Sequence, residues 1–249
     1  QLEERGGLTL DGLIELAYHP ALPAFERLVP AVVDAWRSSG GGAGPHRELA
    51  EPVAELASWD HTVSVDSVAM SLAHFLGEHL LEATRRPDAP HGVERIEELA
   101  TAEPDLLVEG LAAAVARLER DFGSWRTPWG EINRLQRLDG AIDQRFDDER
   151  ESLAVGMASG RWGALASFGA ESEDTRRLYG TSGNSFVAVV EFGEQVRARS
   201  LLAGGQSGDP ESPHFMDQAQ LYVDADFKPV AFYRDDVERR AVRTYRPGE

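Results

Sequence analysis

An α+β fold is predicted, with a helical first half and an antiparallel, β-rich second half. Three observations lead there. Apolar residues recur at helical spacing through residues 1–121, glycine becomes frequent beyond Trp125, and short apolar segments between turn residues then replace the longer periodic ones. Residues 1–121 are therefore read as a helical region and residues 122–249 as a β-rich region of one continuous domain. A chain of 249 residues, 42% of them hydrophobic, is long enough to bury a substantial core.

From Leu8 to Arg37, Leu13, Leu16 and Ala17, then Phe25, Leu28 and Val32, keep helical spacing, with breaks at Pro20 and Pro23. Ser38 to Pro45, glycine-rich, reads as a flexible loop, and a short helix follows over Arg47 to Ala57. Asp66-Ser67 suits an N-cap for a helix from Val68 to Thr84, because a side-chain oxygen there accepts from a free helix N–H. Pro87 to Gly92 is a turn. Another helix runs from Leu106 to Arg120, with Glu103-Pro104-Asp105 placing proline and acids where the first turn favours them.

The strands come next. Phe186 to Phe192 is a strand, and Val196 to Leu202 pairs with it as a hairpin across Gly193-Glu194-Gln195. Gln220 to Asp224 and Val230 to Tyr233 are expected as further strands, with Ala241 to Tyr245 as a last one.

Charge narrows the function classes. A formal net charge of −18, from 43 acidic and 25 basic residues, argues against a phosphate backbone or an anionic membrane as partner. No apolar run approaches the ~20 residues that span a bilayer. With no cysteine there is no disulfide, thiolate metal site or cysteine nucleophile in this sequence. No cofactor is implied.

Several groups invite chemistry. His74 and His79 flank Glu78 on the Val68 helix, but a zinc-binding helical pair stands four apart, and five apart turns the second ring about 140° away. They are read as exposed or locally hydrogen-bonded histidines; His19, His46, His61, His91 and His214 form no ligand-like cluster. A metal-dependent hydrolase using His74 and His79 is kept only as a third reading.

Gly204 to Pro210 follows a strand, yet no helix pattern or lysine follows to hold a phosphate, so it reads as a structural turn lining a cavity. Ser182 and Ser185 lack the Gly-x-Ser-x-Gly elbow of a serine nucleophile and read as a turn into the Phe186 strand. Asp147-Asp148 and Asp235-Asp236 are neighbours whose side chains diverge, and read as surface acids. Glu191 is the candidate catalytic carboxylate. It interrupts an apolar strand on the face of Val187 and Val189, and its alternative role is to pair with Arg197 or Arg199.

Read together, several segments resemble the C-terminal part of the β subunit of the penicillin acylase (penicillin amidase) family of N-terminal-nucleophile hydrolases. Trp129-Gly130-Glu131-Ile132-Asn133-Arg134 is similar to the family's Trp-Gly-x-x-Asn-Arg segment. Ser182-Gly183-Asn184-Ser185-Phe186 leads into the strand ending Glu191-Phe192-Gly193. The most specific stretch is Gly205-Gln206-Ser207-Gly208, Ser212-Pro213-His214 and Asp217-Gln218, then Lys228-Pro229-Val230 and Asp236-Val237. Ala57-Ser58-Trp59-Asp60 and the helix from Asp66-Ser67 match more loosely. The branch nearest in pattern is that of the acyl-homoserine-lactone and cephalosporin acylases.

The resemblance implies layered sheets with helices, of which this chain is the C-terminal portion. It implies hydrolysis of an N-acyl amide through an acyl-enzyme on a serine freed by self-cleavage, its α-amine acting as base. Residue 1 is Gln, so that serine, its neighbouring histidine and the oxyanion asparagine are expected upstream. The upstream β segment and the α subunit of the same precursor would then be partners, in a periplasmic or secreted enzyme. In the cephalosporin-acylase branch a C-terminal glutamate supports the histidine, and Glu191 is the positional match. The alternative is a non-catalytic relic or binding module of the same fold.

Overall fold

The computed structural model describes residues 7–246. Gln1 and the outer ends of the two expected regions lie outside the described residues. The chain divides into two compact units, one of residues 19–184 and one of residues 1–18 with 185–249. The compositional change near Trp125 lies inside the larger unit.

The larger unit is built on helices. α2 (Pro23–Ser38) starts on a proline at its first position, where a missing N–H costs nothing. Phe25, Leu28, Val29 and Val32 form its buried stripe. α3 (Ala50–Ser58) follows two short 3-10 turns. α4 (Val68–Ala83) is capped by Ser67, whose hydroxyl accepts from Met70 N–H at 3.0 Å, and ten of its sixteen residues are buried. It is the central helix.

α5 (Gly92–Ala100) was not expected beyond the Pro87–Gly92 turn. Ile96 and Leu99 bury one face of it, and the buried Arg95 guanidinium is held by Glu98 and by Thr84. α6 (Pro104–Phe122) runs from its proline start to Gly123, whose positive φ of 81° closes the helix in a left-handed cap.

A short α7 (Trp129–Ile132) leads into a four-stranded sheet of β1 (Asn133–Leu135), β2 (Leu153–Ala154), β3 (Phe168–Glu171) and β4 (Leu178–Gly183), in the order β2-β1-β4-β3. β1 and β4 are parallel while the other pairs are antiparallel. The expected all-antiparallel second half is therefore corrected to a mixed arrangement. Of the expected turn into the Phe186 strand, Ser182-Gly183 end β4 and Asn184-Ser185 lead on to Phe186.

The smaller unit holds α1 (Leu10–Ala17), capped by Thr9, and a three-stranded sheet in the order β5-β6-β7. β5 (Phe186–Glu191) and β6 (Arg197–Leu202) pair antiparallel with Glu191 opposite Arg197, as the hairpin reading required.

Three expected strands are corrected. Gln220–Asp224 is occupied by α8 (Ala219–Val223), because Ala219 and Tyr222 are the buried pair and their i,i+3 spacing is helical. The Val230–Tyr233 strand shifts to β7 (Lys228–Pro229), opposite Ser200 and Arg199. Proline tolerates that place because β7 is a sheet edge. Ala241–Tyr245 forms no strand. Ahead of it lies an unforeseen α9 (Arg234–Arg240), with Asp235 and Asp236 in its first turn and Arg239 and Arg240 in its last, the charge order a helix dipole favours.

Candidate functional site

The larger unit contains a cavity of about 390 Å³ between α4, α6, the Trp129 turn and the β3–β4 pair. His74, Phe75, Trp129, Asn133, Phe168 and Leu178 are among the residues that line it.

His74 lies on the buried side of α4, 8% exposed, with its ring centroid 4.8 Å from that of Trp129. Trp162 donates its indole N–H to His74 Nδ1 at 3.3 Å. A neutral ring accepting at Nδ1 carries its proton on Nε2. Burial, with the nearby positive charges of Arg117 and Arg161, pushes the His74 pKa down to about 3, so the ring is neutral at physiological pH. This corrects the expectation of an exposed or locally bonded histidine. α4 is packed on nearly every side, and the partner of His74 stands 88 positions away in sequence.

Gly77 explains how Trp162 fits: a Cβ there would collide with its ring. His79 faces elsewhere, near Gly110 of α6. The two histidines are thus not brought together.

Asn133 is fully buried. Its amide donates to the carbonyls of Val155 at 2.9 Å and Met157 at 3.0 Å, while its Oδ1 has no partner. Met157 O also accepts the Trp129 indole N–H at 3.1 Å. One carbonyl therefore ties the Trp129 and Asn133 side chains into a continuous wall. Arg134 points away from it and donates to Gly130 O and to Ser152.

At the rim, Arg161 pairs with Glu78 at 2.7 Å, and the Arg117 guanidinium lies 4.3 Å over the Phe75 ring. Ser182 also lines this cavity.

Asp148 was read as a surface acid and is instead an anchor. It accepts from Arg176 N–H, Arg177 N–H and the Tyr179 hydroxyl at 2.8, 3.3 and 3.2 Å. Burial alone would raise its pKa, but those three donors outweigh that and lower it. The Asp-Asp pair gave no hint of this, because the donors come from a segment 28 residues or more downstream.

Glu191 belongs to the smaller unit. Along β5, Phe186, Ala188 and Val190 are exposed, while Val189 is buried and Val187 and Glu191 are intermediate. The face shared by Val187, Val189 and Glu191 is thus the inner one. Arg197 donates to both carboxylate oxygens at 2.7 and 2.6 Å, and Arg199 pairs with Asp11 of α1.

The Gly204–Pro210 segment folds back on the residues after it. Ser207 N–H donates to His214 O at 3.0 Å, Gln218 N–H to Gly204 O at 2.8 Å, and His214 Nδ1 lies 2.8 Å from Asp217. Gly205 admits no Cβ beside the His214 carbonyl, so the Gly-Gln-Ser-Gly and Ser-Pro-His segments are two halves of one turn. Among the described residues, no group of three or more histidines and acids is placed to hold a metal. No helix there is long and apolar enough to cross a membrane.

A family model described as penicillin amidase matches residues 1–239.

Proposed function

The chain belongs to the penicillin amidase family of amide hydrolases, and from that premise we propose that it supplies scaffold to an enzyme whose reacting serine is carried by other polypeptide of the same precursor. The observation that carries this is β5. It is apolar on both faces, a pattern suited to a strand covered on both sides. It is also an edge strand in β5-β6-β7, and its outer residues Phe186 and Val190 are 62% and 40% exposed. An exposed apolar face beside an open strand edge is a place for another strand and another layer.

The reaction is hydrolysis of a linear N-acyl amide: a β-lactam side chain, an acyl-homoserine lactone or a similar substrate. The serine attacks the amide carbonyl while its α-amine takes the proton. The amine leaves protonated, and water releases the acid from the acyl-enzyme. The enzyme works in the periplasm or outside the cell. Glu191 serves as a positioning residue for the histidine beside the serine. Its carboxylate is held by Arg197, and its 39% side-chain exposure leaves it open to a further partner.

The test is co-expression with the upstream coding region, followed by assay on N-acyl amides of graded chain length. Amide hydrolysis is expected, with Glu191→Gln lowering kcat at little cost in KM and altering the acid limb of the pH profile. A folded, self-processed complex that leaves every amide intact would overturn the reading.

A further inference from the structure

We propose that the cavity between α4, α6 and the β3–β4 pair binds an organic monocarboxylate, held between the guanidinium groups of Arg117 and Arg161 with its apolar part against the sheet. The inference uses the larger unit alone and stands whether or not the serine chemistry above is right.

Arg117 gives the first reason. Its guanidinium is fixed 4.3 Å over the Phe75 ring and donates to Ser172. Phe75 and Ser172 both line the cavity, so the charged end of Arg117 stands at it. A guanidinium has five N–H donors, yet Arg117 makes one hydrogen bond among the described residues, to Ser172 Oγ at 3.4 Å, longer than the usual range. Nε is buried and unbonded, while the side chain keeps 34% of its surface, so an incoming acceptor meets the terminal nitrogens.

Ion pairing does not make up the shortfall. Asp121 lies 3.5 Å from Arg117 Nε, but Arg120 holds that carboxylate with two bonds of 2.7 and 2.9 Å. Two arginines thus share one aspartate, and the charge of Arg117 is the surplus.

Arg161 gives the second reason. One of its terminal nitrogens pairs with Glu78 Oε1 at 2.7 Å. Glu78 stands one helical turn beyond Phe75 on α4, and residues so spaced share a face, about 5–6 Å apart. The two guanidiniums are therefore set on neighbouring turns of one face. Both lie near enough to His74, which lines the same cavity, for their charges to lower its pKa. One carboxylate can serve both, because its two oxygens accept along the directions in which a guanidinium fork donates.

The rest of the cavity sets what else the ligand carries. Phe168, Ala170 and Leu178 line the side formed by β3 and β4, and the volume of about 390 Å³ lies in the range of small-molecule sites. Glu78 is engaged by Arg161, and Glu171 stands at the exposed end of β3, where water and salt screen it. One surplus cation suits one negative charge, whereas a dianion would meet both glutamates.

A carboxylate reaches such a site from two sources: a free organic acid, or the carboxyl end of a polypeptide. Benzoate, its neutral analogue benzamide, and N-acetylglycylphenylalanine would be titrated against the full chain. The indole N–H resonances of Trp129, which lines the cavity, and Trp162, which is bonded to His74, would be followed. Saturable benzoate binding that weakens as salt rises is expected, with benzamide about tenfold weaker or more. Benzoate tighter than the peptide identifies a free acid; the reverse identifies a chain end.

Arg117→Met keeps an apolar contact for Phe75 and removes the charge, and should weaken carboxylate binding about tenfold or more. Should it fail to fold, Arg161→Met, at a side chain 52% exposed, takes its place with the same expectation. Equal binding of benzoate and benzamide, carboxylate binding unchanged in the folded variant, or no saturable response to either carboxylate overturns the proposal.

Discussion

In the larger unit, Trp162 is wholly buried, stacked obliquely on Phe25 at 5.0 Å and bonded to His74. In the smaller unit, Phe192 is 84% exposed, and Phe232 and Val242 are exposed as well. Both units draw on the same kinds of apolar residue, so composition does not separate them. Coverage does. The helices α2, α4 and α6 enclose one another's apolar stripes, and 31 buried residues there form a single cluster. In the β5-β6-β7 sheet Val189, Ser200 and Leu201 are buried, but Phe186, Ala188 and Val190 on the outer side of β5 are exposed. Apolar surface removed from water stabilises at about 25 cal/mol per Å², and the outer face of β5 forgoes that gain among the described residues. A closed core and a half-built one therefore stand in the same chain.

The contrast can be broken or sharpened by experiment. All five tryptophans, Trp36, Trp59, Trp125, Trp129 and Trp162, lie in the larger unit, so tryptophan fluorescence during denaturation follows that unit alone. Trp162→Ala should produce the largest effect, a loss of about 3–5 kcal/mol. A loss under about 1 kcal/mol would mean that the larger core is not closed as described.

His74 comes next, through pH. Its folded pKa is about 3 against an ordinary 6.5. The unfolded chain therefore binds the extra proton first, and stability present above pH 6.5 is lost as pH falls toward 3. Denaturation of the natural chain from pH 7 to 4 should show a steeper loss than His74→Gln, which keeps an acceptor for the Trp162 indole. Equal slopes would show that His74 titrates freely.

Gly77→Ala pits two effects against each other. Alanine gains roughly 1 kcal/mol of helix propensity, but the collision with the Trp162 ring is an overpacking cost of about 1–3 kcal/mol. A net destabilisation is expected in the same fluorescence experiment, and a stabilised variant would show slack around Trp162.

Smallest of all is Phe186→Ser on the exposed side of β5. Stability of the smaller unit, followed by amide hydrogen exchange in the β5–β6 pair, should move by no more than about 0.5 kcal/mol. Binding of an apolar dye should fall. A larger loss would mean that this face is covered after all.

How much of this was legible beforehand follows the range of each interaction. α4 and α6 announce themselves through Ser67 and Pro104 at their starts and, like α2, through periodic apolar residues, while Pro23 reads as a break in the sequence and is the start of α2 in the fold. The β5–β6 hairpin is legible for the same reason, since alternation and a turn are local. By contrast, β1, β2 and β3 are two to four residues each, too short to carry a period, and β4 ends in Thr181-Ser182-Gly183 with no apolar alternation. They exist because Asn133 meets Leu178 and Arg134 meets Ala154 across long loops. Within the cavity, Trp129 and Asn133 were noticed as a motif, yet their joint hold on Met157 was not legible, and Trp162 drew no notice at all.

By itself, then, the sequence determined the α+β class, the principal helices, the hairpin and the family, because these rest on spacing and on residue order along the chain. Only the tertiary structure decided which side of β5 faces inward, that Glu191 is clasped by Arg197, and that His74 is buried and neutral. Those outcomes depend on burial and, for His74, on a partner 88 positions away, and neither is encoded in any short run of residues.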